Sequence, residues 1–186
     1  PRHVPARDAG QPPAGQHAEQ APYHRRCQVP APIARSSLTK AVVDHLIATL
    51  EPGVLVGRGS APRDGGWLAG QPGVSTFKPY VTVKAGVATQ RETEVLGVRR
   101  ALHSWSCGYR LSYASHRESF ADDTADLGRA AISTMSGDLL LDGVTWTIQK
   151  IDFPRLGATG PNNSTDPPFW DVTDDVSLWL SRVLTA

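Results

Sequence analysis

The chain has 186 residues, 40% of them hydrophobic, and a formal net charge of +1. That length suits one compact domain with a real core and is tight for two. The near-neutral balance argues against a molecule that binds nucleic acid or membrane over its whole surface. No apolar run approaches the ~18 residues of a membrane span. The start, PRHVPARDAGQPPAGQ, lacks the apolar stretch of a secretory signal. Two cysteines, Cys27 and Cys107, point to a reducing compartment rather than a disulfide framework.

Residues 1–35 hold seven prolines, three histidines and five arginines against two acids, with few aliphatic residues beyond Val4, Val29 and Ile33. Such a segment buries too little apolar area to offset its ordering entropy. It is expected to be an extended arm, disordered alone, that orders along a neighbouring chain; an intramolecular contact is the alternative. The folded domain is expected over 36–186. Ser36 or Ser37 can cap a helix, 38-LTKAVVDHLIATL-50, with Leu38, Val42, Leu46 and Leu50 on one face, stopped by Pro52-Gly53. A short strand, 54-VLVGRG-59, precedes a long loop over 57–79 that is rich in Gly and Pro, and loops of that length are usually functional or flexible.

The strand 80-YVTVKAGV-87 follows, then the polar 88-ATQRETEVLGVRR-100, which reads as a hairpin or a loop. In 102-LHSWSCGYRLSYAS-115, His103, Trp105, Cys107, Tyr109, Leu111 and Tyr113 alternate with a small, polar row. That is the pattern of a half-buried strand. Ser115 and Glu118 have the spacing of a capping box for a helix with Phe120, Thr124, Leu127, Ala131 and Met135 on one face, ended by Gly137. Asp142-Gly143 predicts a turn between 139-LLL-141 and 144-VTWTIQKIDF-153, and the change of parity after Ile148 predicts a bulge near Gln149-Lys150. The segment 157–168 reads as loop. The chain closes on 169-FWDVTDDVSLWLSRV-183, where Val176, Leu178 and Leu180 alternate. Helices are too few for βαβ repeats. The expected class is α+β: a mainly antiparallel sheet packed by two helices, with long loops and an extended N-terminal arm.

The candidate chemistry is sparse. His103 and Cys107 lie about 13 Å apart along a strand, too far to share a zinc ion, and no C-x-x-C or H-x-x-x-H is present. Cys107 therefore reads as a packed core residue, and scattered histidines supply no obvious base for a thiol nucleophile. The acidic groups Asp122-Asp123-Asp126 and Asp171-Asp174-Asp175 could bind Mg or act as acid and base, but read first as solvated faces, the second in a turn entering the last strand. Gly57-Arg58-Gly59-Ser60 lacks the spacing of a phosphate loop. No catalytic residue, cofactor or metal is assigned.

The order of elements over 36–186 resembles the tail terminator proteins of long-tailed bacteriophages, also called minor tail or tail-completion proteins. The elements are the helix Leu38–Leu50, the GVLVGRG strand, the YVTVKAG strand, the long strand Ala101–Ala114, the capped helix Ser115–Met135 and the closing W-D-V-x-D-D-V-S-L-W-L strand. The Pro/Arg-rich arm is outside the common pattern. The resemblance implies a non-enzymatic structural subunit of a hexameric ring at the head–tail junction. Such a ring caps the tail-tube protein, meets the head-tail connector or stopper protein and passes DNA through its lumen without sequence-specific binding. No membrane is involved; localisation would be the virion tail or neck, after assembly in the host cytoplasm. Alternatives are a head-completion or stopper protein of the neck and, from other classes, a small enzyme using Cys107 or an acidic cluster, or a nucleic-acid binder led by the arm. Candidate interface residues are Arg58, Arg63 and Trp67 in the first long loop, Arg91, Glu92 and Glu94 in the second, and Arg25 and Arg26 in the arm, since exposed Trp and Arg are favoured at interface centres. Loops 57–79, 88–99 and 157–168 would be the reaching parts.

Overall fold

A computed structural model describes residues 32–68, 77–93 and 102–183. Helix α1 spans Arg35–Thr49 and buries Leu38, Thr39, Val42 and Leu46, the face that the spacing predicts. Its N-cap is Ala34, with no side-chain cap, so neither serine plays the expected part. Both fall inside the first turn, where Ser37 donates to Asp142 (2.6 Å) and Ser36 accepts from Arg58 (2.9 Å). Ile33 and Leu38, at the spacing of a hydrophobic staple, both lie in the core. Among the described residues packing therefore begins at Ile33, inside the stretch assigned to the arm.

Strand β1 (Leu55–Arg58) runs parallel to β4 (Tyr80–Thr93); between them β2 (Gly66–Trp67) and β3 (Phe77–Lys78) form a small separate hairpin. The predicted long loop is thus partly structured. The segment from Ala88 to Thr93, offered as hairpin or loop, continues β4 against β5 (Leu102–Ser115), with a bulge between Ala85 and Ala88. Helix α2 covers Glu118–Ser133, followed by β6 (Gly137–Leu141), β7 (Val144–Arg155), β8 (Gly160–Asn162) and β9 (Phe169–Val183). The main sheet has the order β1-β4-β5-β9-β7-β6, with β8 beside β9. All its pairings except β1–β4 are antiparallel, so the fold is α+β as expected.

The β6–β7 link and the irregularity in β7 lie where the local pattern predicts them. Asp142 (φ 50°) and Gly143 (φ 80°) form the two-residue link of β6 and β7, and two positive φ values are those of a type I′ turn. The β7–β9 register shifts between Ile148 and Lys150, where the parity change places a bulge.

Helix α2 departs from expectation in cap and face. Ser115 is the last paired residue of β5, opposite Trp170, and is fully buried; the N-cap is Arg117, without a side-chain cap. Sheet pairing thus holds the serine away from the helix. The buried face is Ala121, Thr124, Ala125, Gly128, Ala131 and Ile132, whereas Phe120 (43%) and Leu127 (37%) are exposed. Small side chains let the helix backbone approach the sheet. A Cβ on Gly128 would stand 2.2 Å from Tyr113 Cε1, so the ring of Tyr113 fills the space a larger residue would need.

Both helices cover one face of the sheet. The β5 row Cys107, Tyr109, Leu111 and Tyr113 is buried there with Val81 and Val83 of β4 and Val172, Val176, Leu178 and Leu180 of β9. Trp105 packs half-buried against the same core; the His103 side chain lies outside the described residues. Each fully buried Leu or Val contributes roughly 1.5–3 kcal/mol. A second small cluster, Phe77, Ala114 and Phe169 with Trp67 and Tyr80, sits on the opposite face, since Ala114 alternates with Tyr113.

Candidate functional site

The candidate residues of the first long loop fall into two environments. Arg58, at the end of β1, donates to the Ser36 carbonyl (3.2 Å) and hydroxyl (2.9 Å), which ties the strand to the first turn of α1. Arg63 is exposed and borders a shallow hollow with Ile47, Val54 and Asp64. Trp67 is half-buried, edge-on to Phe77 at 5.2 Å. Together with Tyr80 and Phe169 these rings wall a cleft of about 550 Å³ whose rim includes Asp166 and Pro167. Phe77 also stacks on Tyr80 at 6.1 Å and meets Phe169 at 5.7 Å. Burial, then the charge of Asp171, raises the pKa of the Tyr80 phenol. The structure thus gathers Trp67 into an aromatic cluster and leaves Arg58 and Arg63 outside it.

The remaining candidates are only partly visible. Arg91 and Glu92 lie in the far half of β4, opposite Ser104 and His103, so they are strand rather than loop residues; their side chains lie outside the described residues. Glu94, Arg25 and Arg26 also lie outside the described residues.

The acidic groups separate by strand parity. Asp171, Asp174 and Asp175 are all inside β9, not in a turn before it. Asp171 accepts from Asn162 (2.9 Å) and Asp175 pairs with the largely exposed Arg110 (3.0 Å) on the face away from the helices. Asp174 points the other way and is fully buried. It accepts from Arg129 Nε (2.8 Å) and Nη2 (3.0 Å) and from the Gly157 backbone N–H (2.9 Å). A Cβ on Gly157 would sit 2.2 Å from the Thr173 carbonyl, so the chain can approach Asp174 there only as glycine. A carboxylate holding three N–H donors is committed to joining α2, β9 and the segment after β7. The hydrogen bonds to Asp174 hold the Arg129 guanidinium above its ordinary pKa. Burial, then the Asp174 charge, raises the neighbouring Tyr113 phenol as well.

On α2, Asp126 pairs with Arg129 (2.9 Å) and Asp122 accepts from the Thr159 hydroxyl, while Asp123 is exposed. Among the described residues, no group of three or more His, Cys, Asp or Glu side chains is placed to hold a metal ion. Cys107 is 3% exposed, and burial pushes its thiol up to about 11 despite the opposing charge of Arg35. The thiol stays protonated at neutral pH, which disfavours nucleophilic use. No described helix is long and apolar enough to cross a membrane.

The Arg129–Asp174 pair is not among the candidates from sequence, where the acids of β9 read first as a solvated face. The signal was present: Asp174 has the parity of Val176, Leu178 and Leu180. An acid on the core row of a strand calls for a buried cation. No protein-family model matches the chain, and no curated protein matches it.

Proposed function

We propose that this chain is a structural subunit of a ring at the phage head–tail junction, which caps the tail tube and joins it to the head connector. The observation that carries the reading is the order of elements on one sheet. Helix α1, strand β1, the long strands β4 and β5, helix α2 and the long closing strand β9 follow in the order on which the resemblance was drawn, with β2 and β3 between β1 and β4, and β6, β7 and β8 between α2 and β9. The role demands a subunit that transmits load without deforming, and the pairing of β5 with β9 over fourteen residue pairs supports that. The work is binding, carried by exposed loops and sheet edges around a rigid core.

The test uses the full chain, with mass measured in solution and binding to tubes assembled from the tail-tube protein. A closed oligomer of about six copies that binds tube ends is expected. A strict monomer that ignores tube ends overturns the proposal. An oligomer that binds only the connector transfers the chain to the stopper proteins of the neck.

A further inference from the structure

The aromatic cleft lies on the sheet face away from the helices. Phe77 and Phe169 are buried in it, while Trp67, Leu68 and Tyr80 are half-buried in its walls. Gly65 brings the chain against the Tyr80 ring, where a Cβ would stand 3.0 Å from Cδ1. The indole N–H of Trp67 is shielded from water and has no acceptor. Among the described residues, Asp166 is the one charged side chain of the lining, and the charge of Asp171 also acts on Tyr80. Half-exposed rings suit a proline-rich segment, whose flat pyrrolidine rings dock on aromatic grooves. Its polyproline II backbone makes no internal hydrogen bonds and keeps carbonyls free for a donor such as the indole N–H. An acidic rim favours a segment that is also basic.

The chain carries such a segment in its own sequence. Residues 22–31, PYHRRCQVPA, hold Pro22, Pro30, Arg25 and Arg26 and no acid. They lie outside the described residues, which begin at the exposed Pro32 and the buried Ile33. Ile33 packs into the core on the helix side of the sheet. A segment leaving there would have to round the sheet to enter the cleft of its own copy, and the cleft of a neighbour imposes no such path. At about 3.1 Å per residue in the polyproline II form, residues 22–31 span about 31 Å, roughly the width of a small domain.

We propose that residues 22–31 of one copy lie in the aromatic cleft of the next, with proline rings on Trp67 and Tyr80 and with Arg25 and Arg26 toward Asp166. The occupant of the cleft is thus a second copy of this chain. A contact between an arm and a cleft is heterologous, and it closes into a ring or runs on as a filament. This inference rests on the ring reading for closure of the assembly, not for the docking itself.

Cross-linking of the full chain tests it, because Cys27 lies within the docking segment and Cys107 is buried. Thr165→Cys places a second thiol on the exposed rim of the cleft, outside the core. Mild oxidation with oxidised glutathione is expected to link Cys27 of one copy to that thiol in another, giving a ladder that ends at the copy number of the ring. Peptide mass identifies the linked residues, and Cys27→Ser abolishes the ladder. Arg25→Glu with Arg26→Glu lowers the yield several-fold and addition of Asp166→Lys restores it. Pro22→Ala with Pro30→Ala also lowers it. Yields unmoved by these arm variants overturn the proposal, as do links within one copy or only between two Cys27 thiols. Tail-tube protein that shields the introduced thiol from labelling, where the arm does not, assigns the cleft to another partner and overturns it too. An oligomer of full mass without the link does the same and leaves the ring reading standing. A linked series that grows into open filaments upholds the docking and overturns the ring.

Discussion

Gly128→Ala should destabilise this protein even though it improves a helix. In an exposed helix interior the change gains up to about 1 kcal/mol. Here the new Cβ would lie 2.2 Å from Tyr113 Cε1 and 3.0 Å from Cδ1 and Cζ, where ordinary contact begins at 3.4 Å. The Tyr113 ring is fully buried under α2, so it has to shift by more than an ångström or push the helix off the sheet. Overpacking of that kind costs roughly 1–3 kcal/mol and at times more. With the clash at the upper end of that range, about 3 kcal/mol, and up to about 1 kcal/mol returned by helix propensity, the net loss is about 2 kcal/mol, or about 4–8 °C in Tm for a chain of this size. Urea unfolding followed by far-UV circular dichroism gives the free energy directly. The second arm is decisive: in a Tyr113→Leu background the space exists, and Gly128→Ala should become neutral or stabilising. Equal effects of Gly128→Ala in the two backgrounds would refute the packing argument.

Asp174→Ala should cost about 3 kcal/mol, the low end for breaking a buried pair, because Arg129 is a quarter exposed and keeps Asp126. Asp126→Asn, on a mostly exposed carboxylate, should cost under about 0.5 kcal/mol in the same denaturation assay. Comparable losses would show that the buried carboxylate is not the anchor described. For Cys107, the folded thiol is raised from the ordinary 9.0 to about 11. The folded state thus holds its proton more tightly, so this contribution is full below pH 9 and falls as pH rises toward 11. The slope approaches about 1.4 kcal/mol per pH unit for one group. Cys107→Ala should flatten that part of the stability curve, and an unchanged slope would remove the thiol as its source. A soluble thiol reagent should modify Cys107 only on unfolding, and rapid native labelling would contradict its burial.

Much of the fold is written in short-range pattern. The alternation in Leu102–Ser115, the Asp142-Gly143 link and the parity break after Ile148 each depend on local backbone geometry, and each is found where the pattern puts it. What escaped is decided at a distance. The face of α2 follows the Tyr113 ring rather than the largest apolar residues of the helix, which leaves Phe120 and Leu127 outside. Ser115 has a cap spacing, but the ladder with Trp170 claims it first. Trp67 looked like a reaching residue of a long loop; the β2–β3 pairing instead brings it against Phe77. Asp174 was hidden by its two acidic neighbours, although its parity alone distinguishes it from Asp175. That β1 and β6 are the outermost strands of the main sheet among the described residues could not be read from sequence, because it is a property of sheet order.

The proposed role is that of a ring that ends a tail tube. Electron microscopy of the purified full chain mixed with tail-tube protein tests it most directly. The prediction is discrete rings in the protein alone and, in the mixture, tubes carrying one extra disc at a single end and growing no further. Tubes that elongate past the added protein, with no rings in the protein alone, would contradict it.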